Sequence, residues 1–509
     1  MSRQLYQNGT IRTLSGPGAQ ADWVLVGDGR ILATGHGEPE TGDAERIDLA
    51  GRTLVPGFID PHGHFPDSGF NALFRVDLCT PPVGTCTSLA EALERLAQAP
   101  GQGWVYGAAF DQTALPERRF PTKAELDAIH PSRPAFVLHI SGHAGVVNSA
   151  GLALLGRTGD GFLEGMAATA ELGATDFGID EAGFAAGVAA AAAEYISHGV
   201  TMAQNSWIEQ RMLDRFVALD RAGGLPIDVV LLPAAELEPA LSANLPQNLD
   251  HLILGPRKLF ADGAFQVQTA FLSRPYHKPI DGDPNRRGMR YMPPDQLAAK
   301  VQALHRAGHQ IHIHTNGDAA SDDGLDAFET ALLADPRADH RHTLIHAQTL
   351  RDDQLDRIAR LGVTVSFFSA HVYFWGEMHH DVFLGPERAA RISPARSALD
   401  RGIRITLHND ASVTPTRPLH LMWCAVERQT AVGRILGPEQ RITPEEALRA
   451  HTIDAAWQVF QEHDRGSIET GKRADFAVLS DDPLTTAKPL KDIVVEKTVI
   501  LGETVWRRG

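Results

Sequence analysis

Short apolar runs recur along the middle of the chain, and most of them close on polar residues. They read "RTLVPGFID" (52–60), "HGVTMAQN" (198–205), "LPIDVVLLP" (225–233), "RKLFADG" (257–263), "HQIHIH" (309–314), "RHTLIHA" (341–347), "GVTVSFF" (362–368) and "GIRITLHND" (402–410). Apolar runs of this length, bounded by turn signals, predict buried strands. Between them lie helix patterns. "PDQLAAKVQALHRAG" (294–308) has Pro near its start and Gly at its end, and "DDQLDRIARLG" (352–362) and "SPARSALDRG" (393–402) repeat the device. Repeated strand–helix units predict a parallel sheet. Eight of them predict an α/β fold closed into a (β/α)8 barrel of the TIM type.

The two ends of the chain are patterned differently. "ADWVLVGDGRILATG" alternates apolar and polar residues around a Gly-Asp-Gly turn, and the last 45 or so residues behave alike, in "GKRADFAVLSDDPL" and "DIVVEKTVILGETVWR". Termini commonly lie close together, so residues 1–55 and 460–509 are expected to build one small β domain around a barrel of residues 56–459. Residues 65–195 interrupt the alternation after the first strand and are too long for a loop. They are expected to form an inserted subdomain. Its last segment, "EAGFAAGVAAAAAEYISHG" (181–199), is Ala-rich and predicts a helix leading into the second strand.

Composition narrows the class. The chain has 509 residues, 43% apolar and 22% charged, as soluble globular proteins do. Its net charge of −16 disfavours a nucleic-acid partner, since phosphate contact wants a basic surface. No run approaches the ~20 apolar residues of a membrane span. "MSRQLYQNGT" has no apolar core of the kind a secretory signal carries. The cysteines number 3, Cys79, Cys86 and Cys424, which suits a reducing compartment better than a disulfide framework. A cytoplasmic small-molecule enzyme, a homo-oligomer and most simply a dimer, is the expectation.

Polar residues end the strand runs in a pattern. The first ends in His62 and His64, the fourth contains Lys258, the next two carry His314 and His346, and the last ends in Asp410. In a barrel the carboxyl ends of the strands converge on one face, so these six side chains would meet. Alternate residues of a strand point the same way, so His62 and His64 can reach one ion, with Gly63 between them leaving room for it. Each residue has an ordinary alternative: a hydrogen-bonded histidine, a strand-edge lysine, or an aspartate capping a helix. Lys258, however, is the only lysine between Lys123 and Lys278, and it lies in an apolar run. Burial lowers the pKa of such an amine. A neutral amine can add carbon dioxide to give a carbamate, whose two oxygens can bridge two cations.

These stretches resemble the amidohydrolase superfamily, in particular its branch of YtcJ-like hydrolases, which includes N-substituted formamide deformylases. "PGFIDPHGH" is similar to the first-strand motif of that family. "HISGHAGVVNSAGL" (139–152), "RKLFADGAFQVQTAFL" (257–272), "HIHTNGDAA" (312–320) and "GKRADFAVLSDDPL" (471–484) are similar to its further motifs. The resemblance implies a metal-bearing barrel with a β-sandwich made by both termini. It implies that His62, His64 and Asp410 hold one metal, that His314 and His346 hold a more exposed one, and that N6-carboxylated Lys258 bridges them. Zinc suits this ligand set, with iron, manganese or nickel also compatible. The implied reaction is hydrolysis of a non-peptide C–N bond, an amide or N-substituted formamide, by a metal-bound hydroxide with Asp410 as the catalytic proton shuttle.

The pattern departs from the family's at one place. The last strand usually ends in Gly-Ser-Asp; here it ends in His408-Asn409-Asp410. Two related readings stay open: a single-metal hydrolytic deaminase of an aminoheterocycle, and a D-aminoacylase-like N-acyl hydrolase in which Cys79 or Cys86 would rival Lys258. A catalytically dead relative, kept as a scaffold, would have no reason to retain all six residues. For substrate binding the candidates are His143, among the small residues of "ISGHAG", and His371 and Trp375 in "SAHVYFWGEMHHD" (369–381), whose aromatics suit a hydrophobic or aryl substituent. Asp318 is expected either to orient the site or to cap a helix.

Overall fold

A computed structural model describes the chain except residues 1–2, 40–41, 166–175, 239–240, 242–245, 247–248 and 281. Eight parallel strands carry the centre: β1 (Phe58–Ile59), β2 (Val200–Ile208), β3 (Asp228–Pro233), β4 (Arg257–Phe260), β5 (Ile311–Thr315), β6 (Thr343–His346), β7 (Thr364–Phe367) and β8 (Ile405–Leu407). β1, β2 and β3 pair in order, with the short strand Leu252–Leu254 beyond β3, and β4 to β8 pair in order in a second sheet. The two sheets meet at both edges. A parallel bridge joins Ala234 to Lys258. On the other side the Asp410 amide donates to the His62 carbonyl at 3.2 Å, and the His64 amide to the Ala411 carbonyl.

The strands read as nearly unbroken apolar runs because they are buried on both faces. Val229, Leu231, Ile311, Ile313, Leu344, Val365, Phe367, Ile405 and Leu407 belong to one apolar core. Helices connect consecutive strands. Pro294–Arg306 starts with Pro in its first turn, where a missing N–H costs nothing, and Asp352–Leu361 ends at Gly362 in the left-handed region. The three helix patterns of the sequence lie where expected, the third shortened to Ala395–Leu399. Among the described residues no helix is long and apolar enough to cross a membrane.

Both chain ends contribute to one six-stranded sheet. Its order is Glu503–Arg507, Val495–Ile500, Phe476–Leu479, Thr53–Pro56, Thr10–Arg12, Gln20–Ala21. A four-stranded sheet from Gln4 to Asp48 shares an apolar cluster with it, in which Tyr6, Val24 and Leu54 meet Phe476, Val478 and Val499.

The segment after β1 has structure of its own. Val76–Asp77, Val105–Phe110, Ala135–His139, Ala144–Val147 and Phe162–Glu164 form a five-stranded sheet over a separate apolar cluster. Its helix Lys123–Ile129 opens on a reciprocal Thr122–Glu125 capping box. Residues 166–175 of the expected insertion lie outside the described residues. The Ala-rich helix forms as Glu181–Ser197, with the Asp180 side chain accepting from the Gly183 amide. It packs closely on helix Asp67–Phe74: a Cβ on Gly69 would lie 2.0 Å from the Gly187 carbonyl oxygen. Glycine is needed there to let the backbones approach.

Candidate metal centre

All six residues singled out at the strand ends come together. His62 and His64 follow β1, Lys258 lies in β4, His314 in β5, His346 closes β6 and Asp410 follows β8; all six line one cavity of about 330 Å3. His62 Nε2 and His64 Nε2 lie 3.5 and 3.3 Å from Asp410 Oδ1. His346 Nε2 lies 3.1 Å from His314 Nδ1. His62, His346 and Asp410 each offer a ligand atom within 4.8 Å of the other two.

The donor set fits a divalent cation because its buried polar atoms are left over. His62 Nδ1, Lys258 Nζ and Asp410 Oδ1 have no hydrogen-bond partner. Buried polar groups are nearly always satisfied, so three orphans at one point mark a site that awaits a ligand. Lys258 is 1% exposed. Burial pushes its amine down to about 7, far below an ordinary lysine. Burial also holds His62, His314 and His346 well below the usual histidine range, which keeps their lone pairs free to bind metal. Burial opposes ionisation of Asp410, but the adjacent His64 imidazole and the nearby charges of His408 and Lys258 outweigh it and keep the carboxylate ionised.

Two of these residues sit in an unusual backbone conformation. His346 has φ +65° and Asp410 φ +52°. For a residue with a Cβ the left-handed region costs roughly 1–2 kcal/mol. Such strain at two strand ends is characteristic of functional positions, where the surrounding fold enforces a side-chain direction.

The role of Gly63 differs from the expectation. A Cβ there would lie 2.8 Å from Asp60 Oδ2 and 3.2 Å from the Tyr195 hydroxyl, so the space belongs to these groups and not to an ion. Asp60 is fully buried, Tyr195 Oη donates to it at 3.4 Å, and burial raises its pKa to about 7.

His143 faces the cavity. Its Nδ1 lies 2.6 Å from the Tyr291 hydroxyl, and its ring centroid lies 5.0 Å from that of His314. His371 and Trp375 do not line this cavity; Trp375 lines a smaller pocket that shares Ile140 and Val413 with it. His371 is buried between Phe368 and His379. Trp375 donates from Nε1 to Asp111 Oδ2 at 2.8 Å, bracing the loop after β7 against the inserted segment. An aromatic loop on the correct face of the sheet was used for packing because a second layer of structure lies over it. The aromatic wall of the cavity comes instead from Phe70, Tyr106, Phe136, Phe177 and Trp207. Cys79 and Cys86 are both buried and line no part of this cavity, whereas Lys258 does.

Asp318 neither caps its helix nor reaches the cavity. It accepts from the Ser273 amide at 2.8 Å and pairs with Arg351. Asp262 instead fixes the turn that leads into this helix: its carboxylate accepts from the amides of Asn316, Gly317 and Phe271 at 2.8–2.9 Å and lies 3.6 Å from His314 Nε2. Its place in "FADG", four residues after Lys258, was the signal available for it. His408 was noted only as a departure. It is fully buried and packs against both His62 and His346, with ring centroids 4.9 Å from each.

A sequence profile of the amidohydrolase family matches residues 45–506. The chain belongs to that family. This amidohydrolase is 30% identical to the N-substituted formamide deformylase of Arthrobacter pascens, over 98% of each chain. It is 27% identical to the putative amidohydrolase YtcJ of Bacillus subtilis, over the whole of both. Among solved structures it resembles an uncharacterized metal-dependent hydrolase from Pyrococcus horikoshii, with a TM-score of 0.79 and 25% identity, covering 96% of this chain and 99% of that one. The amidohydrolase is therefore a hydrolase acting on C–N bonds, and its metal-dependent relatives support a divalent metal in the cavity.

Proposed function

We propose that this enzyme hydrolyses an amide or N-substituted formamide bearing a hydrophobic or aryl substituent, on a binuclear centre. The reading places the two parallel sheets in one closed (β/α)8 barrel of residues 56–459, with residues 65–195 inserted and a β-sandwich of residues 1–55 and 460–509. His62, His64 and Asp410 would hold one cation and His314 and His346 the other, with zinc the best match to the ligands. Lys258 would be the ligand shared between them once its amine nitrogen had added to carbon dioxide and lost a proton, leaving a carbamate. The single observation that carries this is Lys258: a buried amine with a pKa near 7 and no partner, among four metal-type histidines and an aspartate.

A divalent cation held there supplies Lewis acidity, making water a nucleophile near neutral pH and polarising a carbonyl. The chain does the rest. Asp410, ionised, accepts the proton of the attacking water at a carboxylate oxygen and delivers it to the amine nitrogen as the C–N bond breaks. His143, with Tyr291 behind it, contacts the substrate from the cavity wall. Phe70, Tyr106, Phe136 and Phe177 receive the substituent and exclude water. The substrate of the A. pascens relative, a formamide carrying a substituent on nitrogen, has the shape this division of the cavity asks for.

The test is a hydrolysis screen on metal-analysed protein. N-benzylformamide should yield formate and benzylamine in equal amounts, with two zinc ions per chain. Ammonia release from an aminoheterocycle at one ion per chain would replace this reading by the single-metal deaminase. That alternative has one observation in its favour: among the described residues, His62, His346 and Asp410 are the one group of three whose ligand atoms all lie within 4.8 Å of one another.

A further inference from the structure

A histidine that gives one ring nitrogen to a cation keeps its proton on the other nitrogen, and in a buried site that N–H needs an acceptor. For His314 the acceptor is the Gly263 carbonyl, 3.1 Å from Nε2. His346 has no carbonyl or carboxylate in that position. Its Nδ1 lies 3.0 Å from Nε2 of another imidazole, His408. The chain continues: His408 Nδ1 lies 2.8 Å from Ser366 Oγ, and Thr406 Oγ1 donates to Ser366 Oγ at 2.8 Å. His408, Ser366 and Thr406 are all fully buried, and Ser366 and Thr406 are register partners on β7 and β8. Strand pairing therefore sets the Ser366–Thr406 end of the relay, and His408 follows directly on β8.

We propose that His408 is a positioning residue for metal binding: it accepts the Nδ1–H of His346, so that His346 presents a bare Nε2 toward His314 Nδ1, 3.1 Å away. Ser366 completes the relay, because a hydroxyl oxygen can accept the Nδ1–H that His408 then carries. An imidazole serves here where a carboxylate is the commoner partner, so orientation is gained without adding a negative charge beside Asp410 and Lys258. The inference rests on the metal reading above. It assigns the residue at which the last strand departs from the Gly-Ser-Asp pattern.

The test is zinc affinity, by competition with a chromophoric chelator, and the absorption of the cobalt-loaded protein. His408→Leu should weaken zinc binding about 10–100-fold. His408→Gln should stay within about threefold of the wild type, since Oε1 can take the place of Nε2, and Ser366→Ala should lose about threefold. His408→Asn, whose carbonyl falls short of His346, should lose as much as the leucine variant. If His408→Leu does not fold, the comparison of Gln with Asn carries the test. Wild-type zinc affinity in the folded Leu or Asn variant overturns the assignment, and so does equal loss in Gln and Asn. A wild-type protein that binds neither zinc nor cobalt overturns the metal reading itself, and this inference with it.

Discussion

Two groups of histidines stand on the same strands and differ in what is left over. His342 precedes β6 and His346 closes it. Around His342 every ring nitrogen is used. His342 Nδ1 accepts from the Ile311 amide and its Nε2 lies 2.9 Å from His305 Nδ1. His305 Nε2 donates to the Asp335 carbonyl, and His340 bonds the Leu361 carbonyl and the His342 amide. One set of neutral tautomers satisfies all three rings. Around His346 the bookkeeping does not close, since His62 Nδ1, Lys258 Nζ and Asp410 Oδ1 remain without partners. Both groups are made largely of buried histidines. The surplus of unpaired buried atoms separates a packed structural cluster from a binding site.

The strongest test of that contrast is Lys258→Ala, which should lower kcat/KM roughly a thousandfold or more, about 4 kcal/mol of barrier, in a protein of unchanged fold. Activity within tenfold of the wild type would remove Lys258 from the centre. Metal removal comes next. Chelation should lower the melting temperature, and zinc at a thousand times its Kd should restore about 4 kcal/mol of stability, as followed by calorimetry. His342→Ala should do the reverse of Lys258→Ala: about 3 kcal/mol of stability lost in urea unfolding, with zinc affinity kept, because it strips partners from His305 and leaves a void. A loss of zinc in that variant would merge the two clusters.

Acid should expose a smaller shared property. Burial lowers the pKa of His342 and His340, while the unfolded chain keeps the ordinary value near 6.5. The unfolded state then binds more protons below pH 6.5, so this contribution is present above 6.5 and is lost as pH falls toward the folded values. Each such histidine adds about 1.4 kcal/mol per pH unit to the slope for metal-free protein, and His342→Leu should reduce the measured slope by about one proton. Trp375→Phe is the mildest change. It should cost about 1 kcal/mol through the lost Asp111 hydrogen bond and leave KM near the wild-type value. A large rise in KM would return Trp375 to the substrate pocket.

What the sequence by itself determined is local. Apolar runs closed by polar residues mark the strands, Pro and Gly mark the helix ends, and alternation marks the terminal sheets, because these signals act over a few residues. The six strand-end residues were legible for the same reason: in parallel sheets of one strand direction, the end of a strand is a place in space. Only the tertiary structure decided which neighbours those residues meet. Trp375 and His371 have the composition of a pocket wall, yet the inserted segment takes up Trp375 through Asp111. His408 broke an expected pattern without any sequence signal for its use, since its partners, His346 and Ser366, come from two other strands, 62 and 42 residues away. Gly63 reads as room for an ion, and the room is filled by Asp60 and Tyr195, the latter brought in by the helix that closes the insertion. Hydrogen bonds between distant strands depend on register and on which atoms remain unpaired after folding, and neither is encoded in any short stretch of chain.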